Sequence, residues 1–144
     1  MNKELTILGV MSGTSLDGLD FALCRFNYEA DAYSYEILKT GFKEYPEHIR
    51  MELIQAVHDS GYNLIRKHKR YGRMIGSLAK SFLKDSVQVD YIASHGHTIF
   101  HEPENKLTFQ LGDPASIAAE AECSVIADFR NLDTAMQGQG TPLV

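Results

Sequence analysis

A turn dense in glycine and hydroxyl residues spans residues 12–18, with the sequence SGTSLDG. Closely spaced backbone N–H groups and hydroxyls in such a turn can bind a phosphate chain without a nearby lysine. Gly13 and Gly18 permit positive φ and close approach of the backbone to a ligand. Asp17 and Asp20 are candidates to hold Mg²⁺ through water, because this ion keeps several of its waters. The predicted phosphate and Mg²⁺ contacts are Ser12, Gly13, Thr14, Ser15, Asp17, Gly18 and Asp20.

This turn is not a Walker A loop, because the pattern GxxxxGK[ST] is absent and no lysine lies within it. On composition alone, an ordinary Gly/Ser turn with Asp17 as turn former explains the segment equally well. The phosphate interpretation therefore depends on the rest of the chain.

A second polar cluster holds three histidines, His95, His97 and His101, just after an apolar run. Their H-x-H-x₃-H spacing lacks the helical i, i+4 geometry of zinc proteases, and no nearby cysteine completes a tetrahedral set. A metal site is the weaker interpretation. Open α/β sheets bind ligands at the carboxyl ends of parallel strands, which favours a polar substrate contact. His101 also fits a surface position.

Further candidates follow later apolar runs. Asp113 precedes a proline and is typical of a helix N-cap. Asp128 and Arg130 follow a short strand pattern and are expected either to reach the same edge as His95 or to form a structural ion pair. The segment 138–142, GQGTP, is a flexible loop able to wrap a ligand, with chain-end disorder as the alternative.

The elements that position these residues follow from hydrophobic periodicity. Three strand patterns joined by short turns predict an antiparallel meander, with Tyr35, Ile37 and Leu38 of the third strand facing a core. Helical patterns follow from Pro46 to Gly61, which is expected to stop the first helix, and over residues 63–83, where Gly72 and Gly76 permit close helix packing. Short strands at 89–93, 107–111 and 124–127 flank a helix that opens at Pro114, and residues 131–144 are predicted to be loop.

This order, β-β-β-α-α-β and then β-α-β, predicts an α/β fold of the ribonuclease H-like, actin-like ATPase type: three antiparallel strands followed by helix-linked parallel strands. Residues 1–144 form a single predicted lobe, since no linker or internal repeat divides them.

The composition of the chain argues against several classes of protein. The chain has 144 residues, of which 44% are hydrophobic and 23% charged, and a formal net charge of −5. This charge argues against a nucleic-acid coating protein, because phosphate neutralisation needs a basic face. No apolar stretch approaches membrane-spanning length. Cys24 and Cys123 are expected to be reduced, and the sequence is expected to be that of a cytoplasmic protein.

The motifs together resemble the anhydro-N-acetylmuramic acid kinase family. The matching blocks are GVMSGTSLDGLD (9–20), ASHGHTIFHEP (93–103), QLGDPASIA (110–118), VIADFRNLD (125–133) and GQGTPLV (138–144). They stand in the family's order and span nearly the whole chain.

The resemblance implies a bacterial enzyme of cell-wall recycling that uses ATP and Mg²⁺. Its substrate would be 1,6-anhydro-N-acetylmuramic acid, and hydrolytic opening of the anhydro ring with phosphoryl transfer to O6 would give N-acetylmuramic acid 6-phosphate. The 12–20 segment would bind nucleotide. The implied sugar contacts are His95, His97, Thr98, Asp128, Arg130, Gln139, Gly140 and Pro142. A homodimer is also implied.

The resemblance also exposes a gap. The family's general base is an Asp in a GFDxGPGN block that lies beyond Val144, so the chain is expected to be part of a longer two-lobed kinase and inactive alone. The family more often has Gln where His97 stands and Gly where Gln137 stands. Two alternatives remain: a non-catalytic sugar-binding module, and an Hsp70-like or metalloprotease-like relative of the same fold.

Overall fold

The computed structural model describes residues 3–13 and 15–140, and it leaves the Lys3 side chain undescribed. Three long strands open the fold, β1 (Lys3–Ser12), β2 (Gly18–Glu29) and β3 (Ala32–Glu44). They pair antiparallel in chain order. The predicted meander is therefore confirmed.

Two helices follow the meander. Helix α1 covers Glu47–Gln55 and ends in a 3-10 turn at Ala56–His58. Helix α2 covers Gly61–Leu83, and the Ser60 hydroxyl accepts a hydrogen bond from the Asn63 backbone N–H at its start. Gly61 therefore begins the second helix and does not stop the first, because Ser60 supplies the N-cap.

The rest of the chain adds two short parallel strands and a hairpin. Strand β4 (Tyr91–Ser94) pairs parallel with β1, and β7 (Val125–Ile126) pairs parallel with β4. The main sheet has the order β3-β2-β1-β4-β7. Strands β5 (His97–Glu102) and β6 (Leu107–Leu111) form a separate antiparallel pair. Helices α3 (Pro114–Ala121) and α4 (Phe129–Ala135) complete the mixed α/β architecture.

The core lies between one face of the main sheet and α2. Leu8, Leu23 and Ile75 are fully or almost fully buried there, and the Phe21 ring stacks on Phe82 of α2 with 5.1 Å between centroids. The opposite face exposes apolar side chains, including Phe42. Buried and more exposed side chains alternate along β1 and β2, because only one face of the sheet is covered.

The α2–α3 contact confirms the role predicted for two glycines. A Cβ atom on Gly72 would lie 2.6 Å from the Asp113 carbonyl oxygen, and one on Gly76 would lie 2.8 Å from the Ile117 carbonyl oxygen. The Asp113 side chain accepts a hydrogen bond from the Ser116 backbone N–H, so its predicted role as an N-cap is confirmed.

Three further sequence expectations about elements are wrong. Tyr35 and Ile37 are 71% and 56% exposed, because β3 is an edge strand; Leu38 does pack against the core. Residues 131–135, predicted as loop, belong to α4, which is too short to show a period. Strand β5 begins at His97, whereas the sequence predicted only a polar ligand contact at the end of the preceding strand.

No helix in the described ranges is long and apolar enough to cross a membrane. Cys24 and Cys123 are both free and half-buried.

Candidate active site

The parallel strands β1, β4 and β7 deliver their carboxyl ends to one edge of the sheet. The turn after β1 covers residues 13–17, the segment His95–Gly96 follows β4, and residues 127–128 follow β7. Parallel pairing alone therefore brings these three predicted segments to the same edge of the sheet. Open α/β sheets bind ligands at this edge.

The turn between β1 and β2 is held by bonds of its own. The Ser15 hydroxyl donates to the Asp17 carboxylate over 2.6 Å. This bond and backbone N–H donors hold the pKa of Asp17 below its ordinary value, so the carboxylate stays ionised. The Asp17 carbonyl oxygen accepts from the Tyr45 backbone N–H over 2.9 Å. Thr14 lies outside the described residues.

Backbone geometry in this turn differs from the expectation for its glycines. Leu16 adopts the left-handed conformation, with φ 59°. Gly18 opens β2, and a Cβ atom there would lie 2.4 Å from the Lys43 carbonyl oxygen. Glycine at position 18 is therefore required by close approach of β3 rather than by the approach of a ligand.

Ser12, at the end of β1, connects the turn to the histidine segment. Its Oγ lies 3.2 Å from Nδ1 of His97 and accepts a hydrogen bond of 2.8 Å from the Tyr45 hydroxyl. The Tyr45 and Tyr71 hydroxyl oxygens are 2.5 Å apart. All four side chains are buried. Ser12 and His97 are 85 residues apart in the sequence, and the parallel pairing of β1 with β4 brings them into contact.

Burial controls the protonation of this group. It lowers the pKa of His97 to about 4, with a smaller contribution from His95, so the imidazole is neutral at physiological pH. Burial also raises the pKa of Tyr71 well above its ordinary value. This group of four hydrogen-bonded side chains therefore carries no net charge near neutral pH.

His95 presents a hydrogen-bond acceptor at this edge. Its Nδ1 lies 2.9 Å from the Gly96 carbonyl oxygen, which makes Nδ1 the donor and leaves a lone pair on Nε2. Nε2 is buried and has no hydrogen-bond partner among the described residues. Burial and the nearby Arg130 charge lower the pKa of His95, against the opposing effect of the Gly96 carbonyl.

A groove of about 790 Å³ runs over the uncovered face of the sheet up to this edge. Its lining includes Met11, Asp20, Phe42, His95 and Phe129. The exposed Asp20 carboxylate and the His95 ring therefore belong to the same groove.

The segment after β7 is held by Asp128 and Asp133. Asp128 is left-handed, with φ 61°, and its carboxylate accepts from the Asn131 side chain over 2.9 Å. The Asp133 carboxylate accepts from the Gly140 backbone N–H over 2.6 Å. A Cβ atom on Gly140 would lie 3.2 Å from the His101 ring and 3.5 Å from Cβ of Arg130.

The 138–140 loop therefore folds back onto α4 and the β5–β6 hairpin, beside Arg130. Gln139 is exposed on this loop, and Thr98 lies half-buried opposite Gln110 in the hairpin. Pro142 lies outside the described residues.

The described part of the chain holds no group of three His, Cys, Asp or Glu side chains placed to bind a metal ion. The Nδ1 atoms of His95, His97 and His101 face three different partners: the Gly96 carbonyl, Ser12 and Thr108. The metalloprotease-like alternative therefore has no support in this geometry.

Sequence reasoning missed Tyr45, Tyr71 and Asp133. For Tyr71 the available signal was its hydroxyl, because a buried phenol requires a hydrogen-bond partner. Asp133 shows no local signal, since its role depends on the path of the loop that follows α4.

Comparison with known proteins decides the family. The family model for anhydro-N-acetylmuramic acid kinase matches residues 5–144. The chain belongs to the anhydro-N-acetylmuramic acid kinase family. Proteins of that name include one from Shewanella amazonensis, 40% identical over 100% of this chain and 40% of the relative. Another, from Pseudomonas putida, is 42% identical over 95% of this chain and 38% of the relative.

A third relative of the same name, from Bacillus thuringiensis, is 38% identical over 96% of this chain and 39% of its own length. The chain thus spans about two fifths of the length of these anhydro-N-acetylmuramic acid kinases. The resemblance inferred from the five sequence blocks is confirmed at the level of the family.

Proposed function

We propose that this chain is the phosphate-binding lobe, of actin-like ATPase type, of a cytoplasmic and homodimeric kinase that phosphorylates 1,6-anhydro-N-acetylmuramic acid with ATP. The observation that carries the proposal is the contact between Ser12, where the 12–18 turn begins, and His97, beside the carboxyl ends of β1 and β4. Family membership supplies the substrate class.

In this proposal the 12–18 turn binds the ATP phosphates mainly through its backbone. The Ser15 hydroxyl already donates to Asp17, and the Ser12 hydroxyl is bonded to Tyr45 and His97, so the backbone N–H groups are the freer donors. Phosphoryl transfer depends on in-line positioning and on neutralising charge at the transferring group. A turn fixed by internal bonds is suited to that positioning.

The carboxylates fit Mg²⁺ in different ways. Asp17 already accepts the Ser15 hydroxyl and turn N–H groups, while Asp20 is exposed in the groove beside His95. Asp20 would therefore hold the ion through water, and Asp17 would contribute its negative charge. The ion, when bound with ATP, neutralises charge on the β- and γ-phosphates.

The sugar side, the part of the site proposed to bind the anhydro sugar, consists of His95, His97, Thr98, Asp128, Arg130 and the 138–142 loop. The unpartnered Nε2 lone pair of His95 suits a sugar hydroxyl, because a neutral imidazole nitrogen accepts one hydrogen bond. Arg130 lies close enough to affect the pKa of His95 and suits the lactyl carboxylate of a muramic acid.

The proposed reaction balances as follows. Water attacks the anomeric carbon, the C1–O6 bond breaks, and O6 bonds to the γ-phosphorus as the bond to ADP breaks. A carboxylate base takes the proton from water. We assign that base to a second lobe, in line with the share of the relatives' length that this chain spans.

Titration of ¹⁵N-labelled protein tests the binding proposal. MgATP is expected to shift the amide resonances of residues 12–20, and the anhydro sugar those of residues 95–98 and 128–130. N-acetylmuramic acid, which lacks the anhydro bridge, is the matched control ligand and should bind more weakly. Shifts confined to other surfaces, or none at all, would contradict the proposal.

Ring opening requires a separate measurement on the protein extended to the length of its relatives. In ¹⁸O-labelled water, the product should carry one ¹⁸O at C1 and a phosphoryl group on O6, detected by mass spectrometry. Tight sugar binding without ATP-dependent product would favour the non-catalytic sugar-binding alternative.

A further inference from the structure

The hydroxyl and imidazole groups of Tyr71, Tyr45, Ser12 and His97 form an unbroken buried chain. Oxygen–oxygen distances of 2.5 and 2.8 Å are followed by an Oγ–Nδ1 distance of 3.2 Å. The exposed fractions are between 2% and 7%, so water does not compete for these bonds. These four side chains join α2, the connection between β3 and α1, the end of β1 and the start of β5.

Counting protons fixes most of the bond directions. Each tyrosine has a single hydroxyl proton. Because Tyr45 donates to Ser12, the proton between the two tyrosines belongs to Tyr71. Ser12 therefore accepts from one side, and its own proton remains to be placed.

The position of the His97 ring proton decides which group receives the Ser12 hydroxyl proton. When the ring proton is on Nε2, Nδ1 accepts and Ser12 donates to His97. When the ring proton is on Nδ1, His97 donates and Ser12 accepts two bonds, which frees the Ser12 hydroxyl proton for a ligand at the adjoining turn. Burial keeps the imidazole neutral, so both tautomers are available at physiological pH.

We propose that Tyr45, Tyr71 and His97 are positioning residues that orient the Ser12 hydroxyl toward the nucleotide phosphates and so couple the histidine segment to the phosphate-binding turn. This inference rests on the proposed function. A hydroxyl donor presented to Nε2 of His97 would favour the Nδ1 proton and so release the Ser12 proton. Binding at the sugar side would then strengthen binding of the phosphates.

Calorimetric titration with MgATP tests this assignment in a matched set of variants. Tyr45→Phe and His97→Leu each remove one hydrogen bond to Ser12, and Tyr45→Phe also removes the bond to Tyr71. Each variant should weaken MgATP binding about five- to tenfold, the worth of one neutral hydrogen bond to Ser12. His97→Gln keeps an uncharged donor and should restore the affinity to within about twofold. Tyr62→Phe, at an exposed tyrosine, is the control and should bind as the unaltered protein does.

The ¹⁵N resonances of the His97 ring provide a readout that stability alone does not change. MgATP should move them toward the Nδ1-protonated tautomer, and Tyr45→Phe should diminish that movement. Circular dichroism of each variant identifies any that has failed to fold, and the ring resonances of the unaltered protein then carry the test.

The outcomes separate the two claims. Equal MgATP affinity in all variants, with no change in the His97 tautomer, would overturn this inference and leave the proposed function standing. Failure of the unaltered protein to bind MgATP would overturn both.

Discussion

Acidification should destabilise this protein through His97 more than through an exposed histidine. The ring is 6% exposed, and burial lowers its pKa from 6.5 to about 4. Its neighbours are the neutral hydroxyls of Ser12, Tyr45 and Tyr71 and the imidazole of His95, none of which stabilises a positive charge on it. Folding therefore favours the uncharged ring.

The sign follows from proton binding. Between pH 6.5 and about 4, the unfolded chain binds a proton at His97 that the folded chain does not bind, so the free energy of unfolding falls as the pH falls. From pH 7 to pH 5 the loss is about 2 kcal/mol, and it approaches about 3 kcal/mol below pH 4. A loss of this size is a large part of the stability of an ordinary domain.

Urea unfolding at pH 7 and pH 5 measures the effect. His97→Gln removes the titrating group, so its loss over this range should be smaller than that of the unaltered protein by about 2 kcal/mol. His58→Gln, at an exposed site, should keep the full loss. The lowered pKa values of His95 and His68 contribute equally to all three proteins. Equal losses in the unaltered protein and the His97→Gln variant would refute the reasoning.

Three further predictions concern the elements that hold the site. Gly76→Leu should lower the free energy of unfolding by about 1–3 kcal/mol in urea, because α3 leaves no room for a side chain, while Gly61→Ala, with open space around it, should be nearly neutral. Asp113→Ala should lower thermal stability by about 1–2 kcal/mol through loss of the α3 cap, and Asp113→Asn should recover most of this; equal losses would exclude capping. Asp133→Ala should speed hydrogen exchange at the Gly140 amide about tenfold, and unchanged exchange would contradict the predicted tether.

The helices and long strands were predictable because their patterns are long. Strands β1 and β2 alternate between buried and exposed positions, and α2 repeats buried residues at Tyr71, Ile75 and Ala79, one turn apart. Asp113 before Pro114 predicted the start of α3 from local chemistry alone. These signals depend on neighbours within a few residues.

Short or edge elements were not predictable in the same way. Helix α4 has seven residues and one buried side chain, too few to reveal a period. Tyr35 and Ile37 have the residue types of a buried strand, but β3 lies at the edge of the sheet, where no layer covers them. Burial at such positions depends on strand order, which a local pattern does not contain.

The sequence by itself determined the family, the turn at residues 12–18 and the polar residues that follow each strand, because these depend on residue type and on order along the chain. Only the tertiary structure decided that Ser12 meets His97 across 85 residues and that two tyrosine hydroxyls complete the chain. The physical reason is that parallel pairing of β1 with β4 and packing of α2 against the sheet create both the contact and the burial. Burial, in turn, is what keeps His97 neutral.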